Sequence, residues 1–282
     1  MEIRQLTHQD VLSCLPKRAT DSHKGDYGRI LLLCGSVGYT GAAALAAMGA
    51  LRTGAGLVFL GVPESIYGIE ASKLLEPVVF PLPDNAGMFS LDAIPAVHER
   101  LLSMDAVLIG PGIGQCRGTQ ELTKAILENF HGPVVVDADG INVLKAHKDI
   151  VRGRTSPTIL TPHPGEFSRF AESEIGDRVT AAVNLAQDLG AVVVLKGHET
   201  VITDGNLCYL NPTGNPGMAV GGCGDVLAGM ITALLGIGLS PIEAAACGVW
   251  LHGAAGDICA DELGQYGMLP SDMLNVLPRL LK

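Results

Sequence analysis

Short aliphatic runs recur along the chain at residues 29–34, 57–62, 106–109, 133–136, 158–160 and 191–195, and none alternates with polar residues. A strand with one wet face would alternate, so these read as strands buried on both faces. Between them lie stretches with helical character, 41–53, 91–102, 119–130 and 178–189. The alternation of strand and helix predicts an α/β fold, with a mostly parallel central sheet flanked by helices on both faces. Residues 201–203 and 207–210 enclose Asp204-Gly205-Asn206, whose residues tolerate the left-handed backbone of a tight turn. A late antiparallel hairpin is therefore expected. The remainder is helical, over 226–239, 241–260 and 271–281, with Pro241 opening one helix and Ser271 preceding Asp272 in another. No linker, composition shift or internal repeat divides the chain, and one domain is expected over residues 1–282.

Composition narrows the partners. With 48% hydrophobic and 17% charged residues, the 282-residue chain can bury a large core, and disorder is excluded. The net charge of −10, with no basic run longer than two residues, would repel a phosphate backbone and excludes nucleic acid as a partner. The uncharged stretch 30–51 has membrane length, but Gly35-Ser36-Val37-Gly38-Tyr39-Thr40-Gly41 interrupts it with turn residues, so no membrane span is expected. The polar residues 1–10 lack a signal pattern, and the seven cysteines include no C-x-x-C pair. Packed, reduced thiols and a cytoplasmic location follow as expectations.

Ligands of open parallel sheets sit beyond the carboxyl ends of the strands, which directs attention to the loops there. Gly221-Gly222-Cys223-Gly224-Asp225 stands just before the apolar helix expected from residue 226. Small residues expose backbone N–H groups and a helix start adds partial positive charge, so this loop can cradle a phosphate. A carboxylate beside such a cradle can take a proton from a hydroxyl attacking a phosphoryl group. Asp225 could equally cap the helix and do nothing else. Asp137-Ala138-Asp139-Gly140 and Thr161-Pro162-His163-Pro164-Gly165-Glu166 end two expected strands and bring carboxylates and an imidazole to one rim. Such oxygen-rich surroundings suit Mg²⁺ carried in by a nucleotide. A helix cap for Asp139 and a loop histidine fixed between prolines for His163 are the plainer readings. Lys196-Gly197-His198-Glu199-Thr200 lies between a strand and the hairpin, where it could hold an adenylate or form a solvated turn. Gly35-x-x-Gly38-x-x-Gly41 lacks the spacing of a dinucleotide fingerprint, and the metalloprotease, α/β-hydrolase and P-loop motifs are absent.

Seven segments in order carry a resemblance that none carries singly. They are His23-Lys24-Gly25-Asp26-Tyr27-Gly28-Arg29, Gly38-Tyr39-Thr40-Gly41-Ala42-Ala43, Gly110-Pro111-Gly112-Ile113-Gly114, the two rim loops above, Lys196-Gly197, and Gly224-Asp225-Val226-Leu227-Ala228-Gly229. Through most of its length the chain resembles the ADP/ATP-dependent NAD(P)H-hydrate dehydratase family of the ribokinase-like superfamily. The resemblance implies a repair reaction, in which the S form of C6-hydrated NADH or NADPH loses water while ADP, or ATP in its place, is cleaved with Mg²⁺ present. Phosphorylating the hydroxyl first turns a poor leaving group into a good one, and ADP would give AMP and phosphate.

By position, Ala42, Gly112 or its neighbour Gly114, His163 and Asp225 would contact the hydrated dinucleotide, with Asp225 the catalytic base. Lys196, Gly197, His198, Glu199, Thr200 and Gly224 would hold the adenine nucleotide, and the amides of Gly222, Cys223 and Gly224 the phosphoryl charge. Glu166 would be a candidate for the metal. Cys223 departs from the Thr or Ser of many relatives, removing a hydroxyl donor but leaving the amides. The resemblance also implies a homo-oligomer, a tetramer, and a separate epimerase interconverting the two hydrate forms. Two other readings fit the same loops: a kinase for a hydroxymethylpyrimidine or hydroxyethylthiazole, and a nucleotide-binding protein without turnover. Retention of Asp225 argues against the last.

Overall fold

Residues 2–282 are described by a computed structural model; Met1, where the expected domain begins, lies outside the described residues. The strands in chain order are β1 (Ile3–Arg4), β2 (Arg29–Leu33), β3 (Leu57–Pro63), β4 (Val78–Leu82), β5 (Asp84–Asn85), β6 (Met88–Phe89), β7 (Ala106–Ile109), β8 (Val134–Val136), β9 (Thr158–Leu160), β10 (Val192–Leu195), β11 (Val201–Thr203) and β12 (Cys208–Leu210). The helices are α1 (His8–Cys14), α2 (Thr40–Thr53), α3 (Glu64–Lys73), α4 (Ala93–Leu101), α5 (Arg117–Asn129), α6 (Asp139–Val143), α7 (Lys148–Arg152), α8 (Pro164–Ala171), α9 (Arg178–Leu189), α10 (Cys223–Gly236), α11 (Pro241–Leu263) and α12 (Pro270–Leu280). Ten strands form one sheet in the order β1-β12-β11-β10-β9-β8-β7-β2-β3-β4, while β5 and β6 pair as a separate ribbon. From β10 to β4 every pairing is parallel; β11 runs antiparallel to both β10 and β12, giving the expected hairpin.

The two-residue period of the strands divides the core in two. Ile30, Leu32, Leu108, Val135, Ile159 and Val194 face α2, α10, α11 and α12. Their neighbours Leu31, Leu33, Val107, Ile109, Val134, Val136, Leu160 and Val193 face α4, α5, α8 and α9. Both faces being covered, the strands show no polar alternation.

The six parallel strands and the four inner helices occupy the stretches expected of them. The helix expected from residue 226 instead begins at Cys223, because Gly222 turns the chain into the left-handed region at φ 102° and helical backbone follows at once. Asp225 therefore lies inside the first turn rather than before it. Several elements carried no expectation. β1, β5 and β6 are two residues long, and β4 lies at the sheet edge, where the missing N–H of Pro81 is tolerated. Among the described residues, no helix is long and apolar enough to cross a membrane.

The order of strands reverses between β2 and β7, since connections from β2 run toward β4 and those from β7 toward β10. A crevice at the carboxyl ends follows from that reversal. The loops after β2 and β7 meet there, with the Gly35 amide bonded to the Pro111 carbonyl at 2.8 Å and the Ser36 hydroxyl to the Gly112 carbonyl at 2.7 Å.

Candidate active site

The start of α10 lies among the carboxyl ends of the sheet. Helix N–H groups in a first turn have no intrahelical partner, and Gly222 precedes them with no side chain to cover them. Open space surrounds the α-carbon of Gly221, and the α-carbon of Gly224 faces Lys196, whose Nζ would lie 3.3 Å from a Cβ built there. Cys223 is buried, and burial pushes its thiol up to about 11, so it stays protonated and is no nucleophile.

Four side chains from three strand ends converge on this turn. Asp137, after β8, is 1% exposed and accepts from the Lys196 ammonium at 2.8 Å and from the Thr161 hydroxyl at 2.7 Å. Glu166 lies 3.9 Å from the same ammonium. Burial works against the charge of Lys196, but Asp137, Glu166 and Asp225 outweigh it and hold the ammonium above its ordinary range. Burial raises Glu166, with Lys196 opposing and Asp137 adding to the rise. Asp225 is lifted from 3.8 to about 7, first by burial, then by the negative charge of Asp137, against the pull of Lys196. A carboxylate with that value is half ionised near neutrality and suited to accept a proton from a hydroxyl.

The loops are built to hold these groups. Gly110, at φ 135°, lets the backbone pass close to Asp137, whose carbonyl a Cβ would strike. Ala138 takes a left-handed φ of 48°, a costly value for a residue with a side chain. On its two sides, Asp137 turns to Lys196, while Asp139 accepts from the Gly114 amide at 3.0 Å and the Gln115 amide group at 2.9 Å. Asp139 is thus a clamp on the loop after β7 and makes no cap contact within its own helix. His163 caps α8: its Nδ1 accepts from the Gly165 and Glu166 amides, and Glu166 reaches back to the His163 amide at 2.8 Å. That reciprocal box fixes both residues, and the segment read as a loop becomes a helix after Pro164.

The sequence candidates fall into three groups. Gly112 and Ala42 are brought together, since a Cβ on Gly112 would lie 3.0 Å from that of Ala42, while the Gly114 amide is already occupied by Asp139. Asp225, Gly222, Cys223, Gly224, His163 and Glu166 gather with Lys196 around the start of α10. Gly197, His198, Glu199 and Thr200 form a turn of their own, closed by the Thr200 hydroxyl on the Gly197 carbonyl at 2.9 Å. Lys196 leaves that turn to join the carboxylates. Sequence reasoning missed Arg178, whose guanidinium donates to the carbonyls of Leu195, Lys196 and His198 and holds the turn in place. It also gave no role to Asp137 and Thr161 individually, although their positions at strand ends pointed to the rim.

Among the described residues, no cluster of three or more His, Cys, Asp or Glu side chains is arranged to hold a metal ion. Two buried carboxylates, Asp137 and Glu166, nonetheless fit a cation that arrives already bound to phosphates.

A covered parallel sheet with a glycine-rich helix start and an aspartate in its first turn is a ribokinase-like architecture. A ribokinase-like superfamily protein of Enterococcus faecalis superposes with TM-score 0.86 at 28% identity, covering 99% of this chain and 95% of that one. The sequence profile of the NAD(P)H-hydrate dehydratase family matches residues 30–279, and the chain belongs to that family. A Bacillus subtilis protein named ADP-dependent (S)-NAD(P)H-hydrate dehydratase is 36% identical over 100% of this chain and 99% of its own. The crystal structure of an ADP/ATP-dependent NAD(P)H-hydrate dehydratase from that organism, co-crystallised with ATP/Mg²⁺, gives TM-score 0.84 at 33% identity, over 99% of this chain and 98% of that one. The bifunctional NAD(P)H-hydrate repair enzyme of Moorella thermoacetica is 46% identical over 99% of this chain, which covers 54% of the enzyme. The chain spans about half the length of that relative and of its other bifunctional counterparts.

Proposed function

We propose that this chain dehydrates the S form of C6-hydrated NADH or NADPH, consuming ADP and releasing AMP and phosphate. The observation that carries the reading is Asp225, an aspartate lifted to about 7 in the first turn of a glycine-flanked helix. Asp225 takes the proton of the C6 hydroxyl, and that oxygen forms a bond to the terminal phosphorus of ADP as the bond to AMP breaks. The phosphorylated oxygen then leaves C6 as phosphate, a proton is lost from the adjacent ring carbon, and the double bond of the reduced nicotinamide is restored. The amides of Gly222 at the cap and of Cys223 and Gly224 in the first turn stabilise the phosphoryl charge, and Lys196 supplies the nearby cation.

Ala42, Gly112 and His163 are assigned to the dinucleotide; Gly197, His198, Glu199, Thr200 and Gly224 to the adenine nucleotide. Glu166 and Asp137 are the residues that would hold nucleotide-borne Mg²⁺, whose chemistry is to neutralise phosphate charge. Residues 1–282 are assigned to one domain of a cytoplasmic homotetramer, with epimerisation of the hydrate outside them. The ADP-dependent name of the full-length Bacillus subtilis relative supports the substrate and the nucleotide.

The test mixes the purified chain with Mg²⁺, hydrated NADH and either ADP or ATP, and follows nicotinamide absorbance with AMP and phosphate. Absorbance recovery with one AMP per turnover in the ADP arm is the expected result. Bound nucleotide without recovery, and a stable phosphate ester on another hydroxyl substrate, would replace this reading with a kinase.

A further inference from the structure

One face of α11 carries Gly253, Gly256 and Asp257, spaced so that successive helical turns bring them to the same side. The segment after β12 lies on that face: a Cβ on Gly253 would strike Thr213, and one on Gly256 would strike Met218. Asp257 grips the segment with both oxygens. Its Oδ2 accepts from the Gly214 amide at 2.9 Å and its Oδ1 from the Asn215 side-chain amide at 2.9 Å. No step of the reaction uses this carboxylate.

The grip is passed along the chain. Asn215 Oδ1 accepts from the Gly217 amide at 3.0 Å, and the carbonyls of Asn215 and Pro216 accept from the Met218 and Ala219 amides, each at 3.1 Å. The turn so formed, Pro216–Met218, delivers the chain to Gly221-Gly222, where the anion cradle begins. Between turn and cradle, Ala219, Val220 and Gly221 are exposed, and a Cβ on Gly221 would meet nothing within 4 Å. That stretch has little packing of its own, so its course is set by its two ends, α10 on one side and the Asp257 grip on the other. α11 in turn lies close on α10, since a Cβ on Gly248 would come within 2.8 Å of Ile231. Both ends are thereby referred to one packed helix pair.

We propose that Asp257 is a positioning residue for the adenine nucleotide: through Asn215 and the turn 216–218 it holds the segment entering the anion cradle in the course that a phosphate requires. The inference rests on the reading that the nucleotide's phosphates sit in that cradle. Released from the grip, the segment samples other courses, and affinity falls by the fraction of time it spends in the binding one.

The test measures ADP binding to the full chain by calorimetry with Mg²⁺, KM for the hydrated dinucleotide, and the melting temperature without nucleotide. Asp257→Ala is expected to weaken ADP about ten-fold, the binding course then being populated about one-tenth of the time. The exposed Gly214 amide turns to water, so the fold is expected to hold. Asn215→Ala removes the other half of the same contact and is expected to do likewise, and the double variant to bind no more weakly than either, because the two residues act as a unit. KM for the hydrated dinucleotide is expected to stay at the parental value in each. Variants that bind ADP as tightly as the parent overturn the proposal, even where the melting temperature or the number of sites per chain has dropped, since that pattern marks a structural role alone. So do losses that add in the double variant. A parent that binds ADP but dehydrates nothing sinks the functional reading and leaves this one standing.

Discussion

Replacing Asp225 with Asn separates what the carboxylate does for the reaction from what it costs the fold. In the native chain its value rises from 3.8 to about 7. Each unit is worth about 1.4 kcal/mol, so holding the ionised carboxylate in place costs up to about 4 kcal/mol, or about 2 where the site relaxes. The sign follows from linkage. Because the folded value is the higher one, the contribution of Asp225 to stability is fully present below pH 3.8 and is lost as pH rises to about 7. Asn carries no charge to bury, so the variant is expected to be more stable than the parent by roughly 2–4 kcal/mol at pH 8, with the gap less than half that at pH 5. At this chain length, a gain of that size raises the melting temperature by roughly 4–8 °C. Urea denaturation of both proteins at the two pH values, without nucleotide, measures the gap. Turnover in the variant is expected to fall by about 10²–10⁴-fold, the usual worth of a positioned base, and parental kcat/KM to drop below an acid limb near pH 7. Equal stability of parent and variant at both pH values would refute the burial argument, and parental turnover in the variant would remove Asp225 as the base.

Other perturbations test the surrounding framework. Lys196→Met strands the buried Asp137 carboxylate and is expected to cost about 3–5 kcal/mol in denaturation experiments. It also removes the attraction that lowers Asp225, so any remaining activity has its acid limb displaced to higher pH. Asp139→Ala frees the Gly114 amide and Gln115, and is expected to raise KM for the hydrated dinucleotide about ten-fold while leaving ADP binding unchanged in calorimetry. The Cys223 thiol, pushed up to about 11, is expected to escape iodoacetamide at pH 7.5 in the folded protein and react only after denaturation, as read by peptide mass.

The sheet was legible because its inner strands are apolar without interruption: Val134–Val136 and Ala106–Ile109 admit no other reading once helical stretches separate them. Elements with weaker patterns escaped. β4 carries a proline and alternates in exposure, and α8 begins with Pro164-Gly165, a pair that reads as a turn until the His163–Glu166 box is seen. Pro241 opening α11 was the same signal, recognised there because a long apolar run follows it. The glycine-rich turn and its aspartate were visible as a local pattern. Their electrostatics were not, since Lys196 and Asp137 stand 59 positions apart and meet only because β10 and β8 both flank β9. The same holds for Gly112 against Ala42, a contact that depends on strand order, which periodicity does not encode.

The small residues of α2 and α10 have a mechanical consequence. Side chains at Gly49 and Gly229 would run into the backbones of Val226 and Ala46, so the two helices touch main chain to main chain with nothing compressible between them. The first turn of α2 carries Ala42, and the first turn of α10 carries Asp225. A shared strut of this kind keeps the two at a fixed spacing through every turnover. Substrates must then fit between these two first turns as they stand, since the helix pair itself has no slack with which to widen for them.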